Sequence, residues 1–492
     1  MATCVGMLLV PAGAGAKPQK QGIHIAVLGC ITGDSNVAKQ RGCKAVPGAT
    51  EHGVLSGLGG VVALTTGNEG KSLYAVANLD AAVTRLALGP APGGIVFGSC
   101  FTGDSFLNDC TNVPGAAANA VEAPMASPTA AAISPDGRSL YVTSGDFHGA
   151  VVAWFNRDPL SGELTYAACL SGDQGTGPSG SGSCSLIPSA TKDGYGSGLD
   201  EPSGVAVSSN GAQVYVTAAL DQSVAVFARD PATGALSFTR CVSSEPRVSG
   251  CIQLPGGHHV LDEVRSPLIS ADGGFLYAAA NRAGTIDTFA LDGAGGITYL
   301  RCLAGIQYSD LCGRRNASLG GPYTLGSPYG LTETPDRRFV YAVSSGAIVV
   351  LRRSPQSGRL KWASCISGYS ADRGKCTLVP NPRRLAGGSP LYGAHTPILS
   401  RNGRIVYVAV RGEDGVTELR RNPRTGALTF IGCVTGNIRL STARDGVCTK
   451  LPGATEGGEG SGFLKTGVLA RGPGNLLYAA APRDSTISVL RP

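Results

Sequence analysis

The chain has 492 residues, of which 72 are Gly and 30 are Pro, and only 15% are charged. So many turn-forming residues and so little charge exclude a protein built from long exposed helices and favour an all-β fold. The formal charge of +7 is spread along the chain, and basic runs are not interleaved with aromatic residues, so we expect no nucleic-acid partner. We interpret Arg352–Arg353, Arg383–Arg384 and Arg420–Arg421 as solvent-exposed pairs at strand ends and in loops.

The N-terminal stretch MATCVGMLLVPAGAGAKPQKQG has an apolar segment, Cys4 to Val10, followed by small residues. This pattern resembles a short or truncated secretion signal that lacks a basic leading segment, and a disordered tail is the alternative. We therefore assign 1–21 to a signal peptide or tail and 22–492 to a single domain. Because no other segment approaches the roughly 18 apolar residues of a membrane-crossing helix, we expect no membrane span.

A unit of four strand-like runs recurs along this domain. One copy reads SGVAVS (203–208), AQVYVTA (212–218), QSVAVFAR (222–229) and GALSFTR (234–240), here called strands a, b, c and d. Turns containing Asn-Gly, Asp-Gly or Pro-x-x-Gly connect them as antiparallel hairpins. The Tyr of strand b recurs at Tyr74, Tyr141, Tyr215, Tyr277, Tyr341, Tyr407 and Tyr478. Seven such four-stranded meanders predict an all-β, seven-bladed β-propeller.

The last copy of the unit has strands a, b and c but no strand d. It ends in STISVLRP, while an unpaired run of strand-d type, GIHIAVLGC, stands at 22–30. We predict that this N-terminal strand completes the last blade and closes the ring, because closure removes two exposed sheet edges.

Fourteen of the fifteen cysteines follow the repeat, two to a unit. The first lies at the end of strand d and the second 10 to 15 residues later, which predicts one local disulfide per unit. The predicted disulfides are Cys30–Cys43, Cys100–Cys110, Cys169–Cys184, Cys241–Cys251, Cys302–Cys312, Cys365–Cys376 and Cys433–Cys448. Zinc is the weaker alternative, since C-x-x-C knuckles and regular histidine partners are missing. Seven disulfides indicate an oxidising compartment, so we expect a secreted or extracytoplasmic protein.

Repeats such as SPDGRSLYVTSG and SRNGRIVYVAVRGEDGVTELRRNPRTGAL give the chain its family resemblance. Over residues 22–492 it resembles the lactonase-like seven-bladed β-propellers, which include bacterial 6-phosphogluconolactonase and the YVTN-repeat surface proteins. The resemblance implies the propeller fold and, as an expected activity, hydrolysis of a lactone or similar ester. It also implies that His395, Arg411 and Glu413 lie where such propellers carry polar pocket residues. The cysteine pairs depart from the pattern of the cytosolic enzymes.

The mouth of the central channel, where strands a begin, is the expected ligand site of such a propeller. Counting back from each strand-b Tyr places these pairs at the mouth: Ser127–Pro128, Glu201–Pro202, Glu263–Val264, Ser327–Pro328, Gly393–Ala394 and Leu464–Lys465. Their neighbours include Arg265, Tyr329 and His395. Three of the mouth pairs thus carry a charge where the others have small residues or Pro.

Charged groups around one axis can support the chemistry of ester hydrolysis. A general base activates water for attack on the carbonyl carbon, and cations stabilise the developing oxyanion or hold a substrate carboxylate. The candidate bases are Glu201, Glu263 and His395. The candidate cations are Arg265 and Lys465, and the other candidate substrate contacts are Tyr329, Arg411 and Glu413.

Two alternatives to hydrolysis remain open from the sequence, so it does not decide whether the protein is an enzyme. The same face can bind a small molecule or another extracellular ligand without chemistry. Alternatively, the charged groups form salt bridges around a solvent-filled channel. Glu201 and Glu263 lack an Asp/Asn pattern that would support a metal between them, so we expect no metal and no other cofactor. We expect the protein to be a monomer.

Overall fold

A computed structural model describes residues 25–91, 93–145, 149–178, 183–255, 259–305, 312, 325–384 and 388–492. The predicted signal peptide or tail at 1–21, Cys4 included, lies outside these residues. Within them, the chain forms seven sheets of four or five strands, which are the blades of a propeller.

The blades follow one another along the chain, and their strands have the following bounds. Blade 1 contains β3 (Val61–Thr66), β4 (Ser72–Ala77), β5 (Ala82–Leu88), β6 (Ile95–Asp104) and β7 (Thr111–Ala117). Blade 2 contains β8 (Pro128–Ile133), β9 (Ser139–Ser144), β10 (Val151–Arg157), β11 (Leu164–Asp173) and β12 (Ser185–Thr191). Blade 3 contains β13 (Pro202–Val207), β14 (Gln213–Ala218), β15 (Ser223–Arg229), β16 (Leu236–Ser243) and β17 (Ile252–Gln253). Blade 4 contains β18 (Val264–Ile269), β19 (Phe275–Ala280), β20 (Thr285–Leu291) and β21 (Ile297–Ala304).

The remaining blades follow the same order. Blade 5 contains β22 (Pro328–Glu333), β23 (Phe339–Ser344), β24 (Ala347–Arg353), β25 (Leu360–Tyr369) and β26 (Thr377–Arg383). Blade 6 contains β27 (Ala394–Leu399), β28 (Ile405–Val410), β29 (Gly415–Arg421), β30 (Leu428–Asn437) and β31 (Cys448–Thr455). Blade 7 combines β32 (Val468–Arg471), β33 (Leu477–Ala481) and β34 (Thr486–Arg491) with β1 (Ala26–Asp34) and β2 (Lys44–Thr50).

Helical segments are few and short in the described part of the chain. They lie in the connections after strand d and are α1 (Ser35–Arg41), α2 (Ser441–Arg444) and the 3₁₀ turns Glu51–Gly53, Ala118–Ala120 and Ser370–Asp372. None of the described helices has the length and apolar character needed to cross a membrane.

Seven innermost strands surround the central channel and hold the blades in a ring. In order they are β3, β8, β13, β18, β22, β27 and β32; each contacts the next, and β32 contacts β3. The core lies between blades, where the face of one sheet packs on its neighbour. Between blades 2 and 3, for example, Tyr141, Val214 and Phe227 belong to one buried cluster. Strand b is buried along its whole length, as β9 and β14 show, because both of its faces meet neighbouring blades.

The predicted ring closure is confirmed. Strand β1 pairs with β34 in antiparallel register from Ala26 opposite Arg491 to Thr32 opposite Thr486. The Thr486 hydroxyl donates to Thr32 Oγ1 at 2.8 Å across this pair. The N-terminal strand therefore supplies strand d of the last blade.

The blades have more strands than the four predicted for each. In six blades the chain returns after strand d and adds a fifth, outer strand that is parallel to d. Blade 4 is described with four strands, and residues 306–311 and 313–324 after its strand d lie outside the described ranges. Part of the segment that connects strand d to the next strand a thus belongs to the sheet.

All seven predicted disulfides are present, with Cα–Cα distances of 4.6–4.8 Å. In the six blades with a described fifth strand, the disulfide sits beside the pairing of strand d with that strand. In blade 7 the Cys30–Cys43 bond is followed directly by the pair Ile31 and Lys44, and in blade 1 Cys100–Cys110 is followed by Phe101 and Thr111. The disulfide therefore fixes the register of the outer strand.

A buried arginine clamp joins neighbouring blades at the end of the propeller opposite the mouth. Arg229 of blade 3 donates from Nε to the hydroxyl of Tyr141 in blade 2 at 2.7 Å, and its Nη2 lies 2.7 Å from Asp136 Oδ2. The Tyr141 hydroxyl donates to the carbonyl of Gly234 at 2.8 Å. Arg157 and Arg353 make the equivalent bonds to Tyr74 and Tyr277.

The clamp corrects the interpretation of the paired arginines. Arg353 and Arg421 are only 3% and 6% exposed, not solvated, and both pair with an Asp of the preceding blade, Asp272 and Asp336. Burial of these guanidiniums is tolerated because each is paired with a carboxylate; Arg353 Nε also donates to the Tyr277 hydroxyl, and Arg421 Nη1 donates to the Gly403 carbonyl.

Ring closure gives a first prediction. Deletion of residues 1–34 removes β1 and the Cys30–Cys43 disulfide, which alone is worth about 3 kcal/mol. We expect the free energy of unfolding, measured by chemical denaturation, to fall by more than this amount. Deletion of 1–21 is the control and should leave it nearly unchanged. Equal stability of the two truncated proteins would contradict the closure.

The clamp gives a second prediction. Tyr141→Phe leaves the Arg229 Nε and the Gly234 carbonyl without their buried partner, so we expect a loss of about 1–3 kcal/mol in unfolding free energy. Tyr478→Phe is the matched control, because Tyr478 is equally buried but has no described clamp arginine. A similar loss of unfolding free energy in both variants would contradict the clamp, because it would show that the loss does not depend on the arginine.

Candidate functional site

The channel mouth begins with residues in the left-handed backbone region. Gly60, Glu201, Glu263 and Gly393 directly precede innermost strands and have φ values of 68°, 53°, 51° and 68°, and Lys465 ahead of β32 has a φ of 60°. This conformation suits Gly and costs other residues about 1–2 kcal/mol. Three blades therefore keep a charged side chain at a position where Gly is the less strained choice, which is typical of a functional constraint.

A ring of β-bulges follows directly on these positions. In four blades the second residue of the innermost strand is the bulged one: Val62, Thr129, Ser203 and Tyr329. The Thr129 and Ser203 hydroxyls donate to carbonyls of the next blade, those of Pro202 and Val264, at 2.6 and 2.5 Å. In blades 2 and 3 the bulged side chain thus serves to tie two blades together.

In blades 4 and 6 the hydroxyl that makes this inter-blade hydrogen bond belongs to the next residue of the strand. Ser266 donates to the Tyr329 carbonyl at 2.5 Å, and Thr396 donates to the Gly467 carbonyl at 2.8 Å. The residues before them, Arg265 and His395, occupy the position that Thr129 and Ser203 hold in blades 2 and 3. Their side chains are therefore not used for the tie, in keeping with the frequent use of bulges to redirect side chains at active sites.

His395 is held in the wall of the mouth between cationic groups. Its ring stacks on Tyr329 of the neighbouring blade, with centroids 5.1 Å apart and planes inclined by 28°. Burial, together with the positive charges of Arg411 and Arg265, lowers the pKa of His395 to about 4, although a hydrogen bond to the Gly467 backbone opposes the shift. The imidazole is therefore neutral at neutral pH.

The two guanidiniums whose charges act on His395 belong to different blades. Arg411 directly follows β28, and its side chain lies against Gly467 of blade 7, where a Cβ would be 3.2 Å from Arg411 Cγ. Arg265 Nη2 lies 3.9 Å from Glu263 Oε2, and its Nε is buried without a hydrogen-bond partner among the described residues. The structure thus brings together four of the predicted site residues, Arg265, Tyr329, His395 and Arg411, with Glu263 beside Arg265. We call these five residues the polar arc.

Asn281 is a mouth residue that the sequence analysis missed. It directly follows β19, as Asn78 follows β4, and Asn78 donates to the Ser127 hydroxyl of the next blade. The backbone N–H of Asn281 donates to the backbone carbonyl of Glu263 at 3.0 Å. The buried side-chain nitrogen Nδ2 of Asn281 has no hydrogen-bond partner among the described residues. The sequence signal that could have identified Asn281 is its position directly after strand b, which is also the position of Arg411 in blade 6.

Glu413 lies in a different setting from the arc around His395. It is fully buried and accepts a hydrogen bond from the Thr442 hydroxyl. Burial raises the pKa of its carboxyl to about 7. Glu413 occupies the position that Asp80 and Asp221 hold in their turns, where these carboxylates accept backbone N–H groups of the preceding loop. This placement describes a loop anchor, and substrate contact by Glu413 stays a prediction.

Glu201 and Lys465 complete the predicted set. Lys465 Nζ is 4.0 Å from the buried Asp414 carboxylate, which also accepts the Lys465 backbone N–H at 2.8 Å. Glu201 follows Asp200, whose pKa burial and the charge of Asp221 raise to about 7. A catalytic role for Glu201 and ligand binding by Lys465 stay predictions. Within the described ranges, no group of three or more His, Cys, Asp or Glu side chains is arranged to hold a metal ion.

One surface cavity lies at the end opposite the mouth. It has a volume of about 430 Å³ and is lined by turn residues that include Leu88, Pro473, Tyr478 and Arg491. The second, of about 110 Å³, lies beside Tyr407. Each cavity lies beside a strand-b tyrosine that has no described clamp arginine. The cavities therefore lie where an arginine side chain fills the gap between blades elsewhere in the propeller. The mouth, in contrast, combines a titratable base with two cations.

Comparison with known proteins gives a likeness of fold. The sequence matches no family model and no curated protein. The periplasmic gluconolactonase of Pseudomonas aeruginosa is 18% identical, with a TM-score of 0.48 over 76% of this chain and 84% of that one. A streptogramin B lyase is 12% identical, with a TM-score of 0.47 over 88% and 93%. Because one propeller architecture hosts different reactions, these likenesses do not fix the chemistry at the mouth.

The setting of His395 gives a third prediction. In an NMR titration, with His395 assigned by the signal lost in His395→Gln, its imidazole should titrate near pH 4. Arg411→Gln removes a positive charge that disfavours the imidazolium, so the pKa of His395 should rise in that variant. A wild-type pKa near the ordinary value, or no rise in Arg411→Gln, would contradict the arrangement.

Proposed function

We propose that this lactonase-like propeller hydrolyses a lactone or similar ester at the channel mouth. The observation that supports this most strongly is the neutral imidazole of His395 beside the guanidiniums of Arg411 and Arg265. Hydrolysis of an ester needs a base for water and positive charge for the oxyanion, and this arc supplies both.

Each step of the proposed reaction uses a group of the arc. His395 accepts a proton from water as the water oxygen attacks the carbonyl carbon. Arg265 and Arg411 stabilise the negative charge on the carbonyl oxygen. The tetrahedral intermediate then collapses, the bond from carbon to the ring oxygen breaks, and the imidazolium returns its proton to the leaving alkoxide. The product is a hydroxy carboxylic acid, which releases its carboxyl proton to solvent and leaves as a hydroxy carboxylate. Glu263, 3.9 Å from Arg265, is proposed as a positioning residue.

We also propose that the protein works outside the cytoplasm. Seven disulfides each link the end of a strand d to the segment that follows it, and such bonds persist in oxidising compartments. The substrate is accordingly proposed to be a small molecule of that compartment rather than a cytosolic sugar phosphate.

Binding without turnover is the second candidate function. A base with a pKa of about 4 is weak, which lowers its driving force for proton abstraction. Two guanidiniums beside a neutral imidazole also form a good site for a carboxylate. In this alternative the same arc holds an anionic or polar ligand.

A lactone panel tests the proposal and gives a fourth prediction. We expect acid release from at least one lactone, with kcat/KM falling as the pH drops through about 4, because protonation removes the base. His395→Gln should lower kcat/KM by about 10²- to 10⁴-fold without lowering the melting temperature. Arg411→Gln should lower activity and move the acid limb to higher pH.

The controls separate the two candidates. Leu160→Ser changes an exposed turn residue at the opposite end and should leave kcat/KM unchanged. Full activity in His395→Gln would refute His395 as the base. No turnover at any pH, together with binding of the hydroxy acid that is weakened by Arg411→Gln, would establish the binding alternative.

A further inference from the structure

Large apolar side chains are exposed on the mouth side of blade 1. Val54, Leu55, Val62 and Leu79 are 46%, 38%, 37% and 61% exposed. Leu79 lies over the start of the innermost strand, since a Cβ at Gly60 would be 2.6 Å from Leu79 Cγ. Leu79 thus covers the mouth position that carries an acid in blades 3 and 4.

The same surface continues toward blade 2. The Leu55 backbone N–H donates to Asp80 Oδ1 at 2.7 Å, which holds Leu55 beside the turn that carries Leu79. Ala81 of this turn packs with Ala120 of the following loop in one buried cluster. Val121, next in that loop, is 63% exposed. We call Val54, Leu55, Val62, Leu79 and Val121 the apolar arc.

The apolar arc follows the polar arc around the channel mouth. Arg411 extends from blade 6 onto Gly467 of blade 7, and β32 of blade 7 contacts β3 of blade 1. One blade therefore separates the imidazole of His395 from the side chain of Val62. A ligand at the mouth meets cations and a base on one side and several exposed aliphatic groups on the other.

We propose that the ligand of this mouth is amphipathic: a lactone or ester with an alkyl chain, its carbonyl at His395 and its chain on the apolar arc. The proposal rests on the proposed function and adds the substrate class. Charge complementarity places the polar head, since the carbonyl or carboxylate belongs with Arg265 and Arg411. A sugar lactone is polar on all sides and would leave the aliphatic groups in water, whereas an alkyl chain covers them.

The size of the effect follows from the area that a chain would bury. A fully buried methylene is worth about 0.8 kcal/mol, which is roughly a fourfold change in affinity. Contact on one side only buries part of each methylene, so we expect about a twofold gain per added methylene until the chain exceeds the apolar arc.

The test measures chain-length dependence in two ways on the full chain. The first is kcat/KM for γ-lactones with alkyl substituents of increasing length. The second is the Kd of the matching alkyl hydroxy acids by calorimetry, which needs no turnover. Leu79→Ser should flatten both dependences. Leu220→Ser is the matched control, because Leu220 holds the same turn position in blade 3, next to acidic mouth residues, and is 41% exposed.

The outcomes distinguish this proposal from the proposed function. Chain-dependent Kd values that Leu79→Ser flattens and Leu220→Ser does not support an amphipathic ligand, even where no lactone is turned over. Turnover of lactones with no dependence on chain length supports hydrolysis and overturns the amphipathic ligand. Equal effects of the two serine variants, both with wild-type melting temperatures, also overturn it.

Discussion

The pairing of β1 with β34 is the constraint on which the other features depend. Each innermost strand packs on two neighbours, and β32 meets β3 only because the last blade is completed from the N-terminal side. This junction lies between the polar and apolar arcs of the mouth. Without this junction, Arg411, which lies against Gly467, and Val62 on β3 would not lie on the same channel mouth. Closure is thus a condition of the proposed site as well as of stability.

The two ends of the propeller use charge in different ways. At the end with the a–b and c–d turns, Arg157, Arg229 and Arg353 are buried. They donate hydrogen bonds to tyrosine hydroxyls and pair with carboxylates of the preceding blade. At the mouth, serine and threonine hydroxyls make the ties between blades. Arg265 and His395 therefore remain available for a ligand. The proposed site thus lies at the end of the propeller that does not carry the arginine clamps.

The repeat was readable from sequence because its signals are local. Alternating strands, Gly turns and regular cysteines predicted the blades, the closure and all seven disulfides. The fifth strands were missed because segments such as TNVPGAA contain Pro and Gly, which indicate a loop. An edge strand tolerates Pro, which has no backbone N–H, because no donor is needed on its outer side. Arg353 was misjudged for a different reason. Its partner Tyr277 lies in another blade, 76 residues away, and nothing local reports that contact.

The site was predictable in part. Counting from the strand-b Tyr found Glu263, Arg265, Tyr329 and His395, because the repeat fixes each residue's height in the channel. It could not show that in blades 4 and 6 the inter-blade hydrogen bond is made by the third residue of the innermost strand, since this depends on the β-bulge, which is a property of strand pairing. It also gave no sign that Glu413 is buried against Thr442, which depends on how two loops of blade 6 fold together.

A crystal structure with a cyclic phosphonate, an analogue of the tetrahedral intermediate of lactone hydrolysis, tests the central claim most directly. The account predicts the phosphonate at the mouth, with its oxygens within about 3 Å of the Arg265 and Arg411 guanidiniums and the His395 imidazole facing phosphorus. A phosphonate in the cavity beside Tyr478 at the opposite end, with the mouth empty, would contradict it.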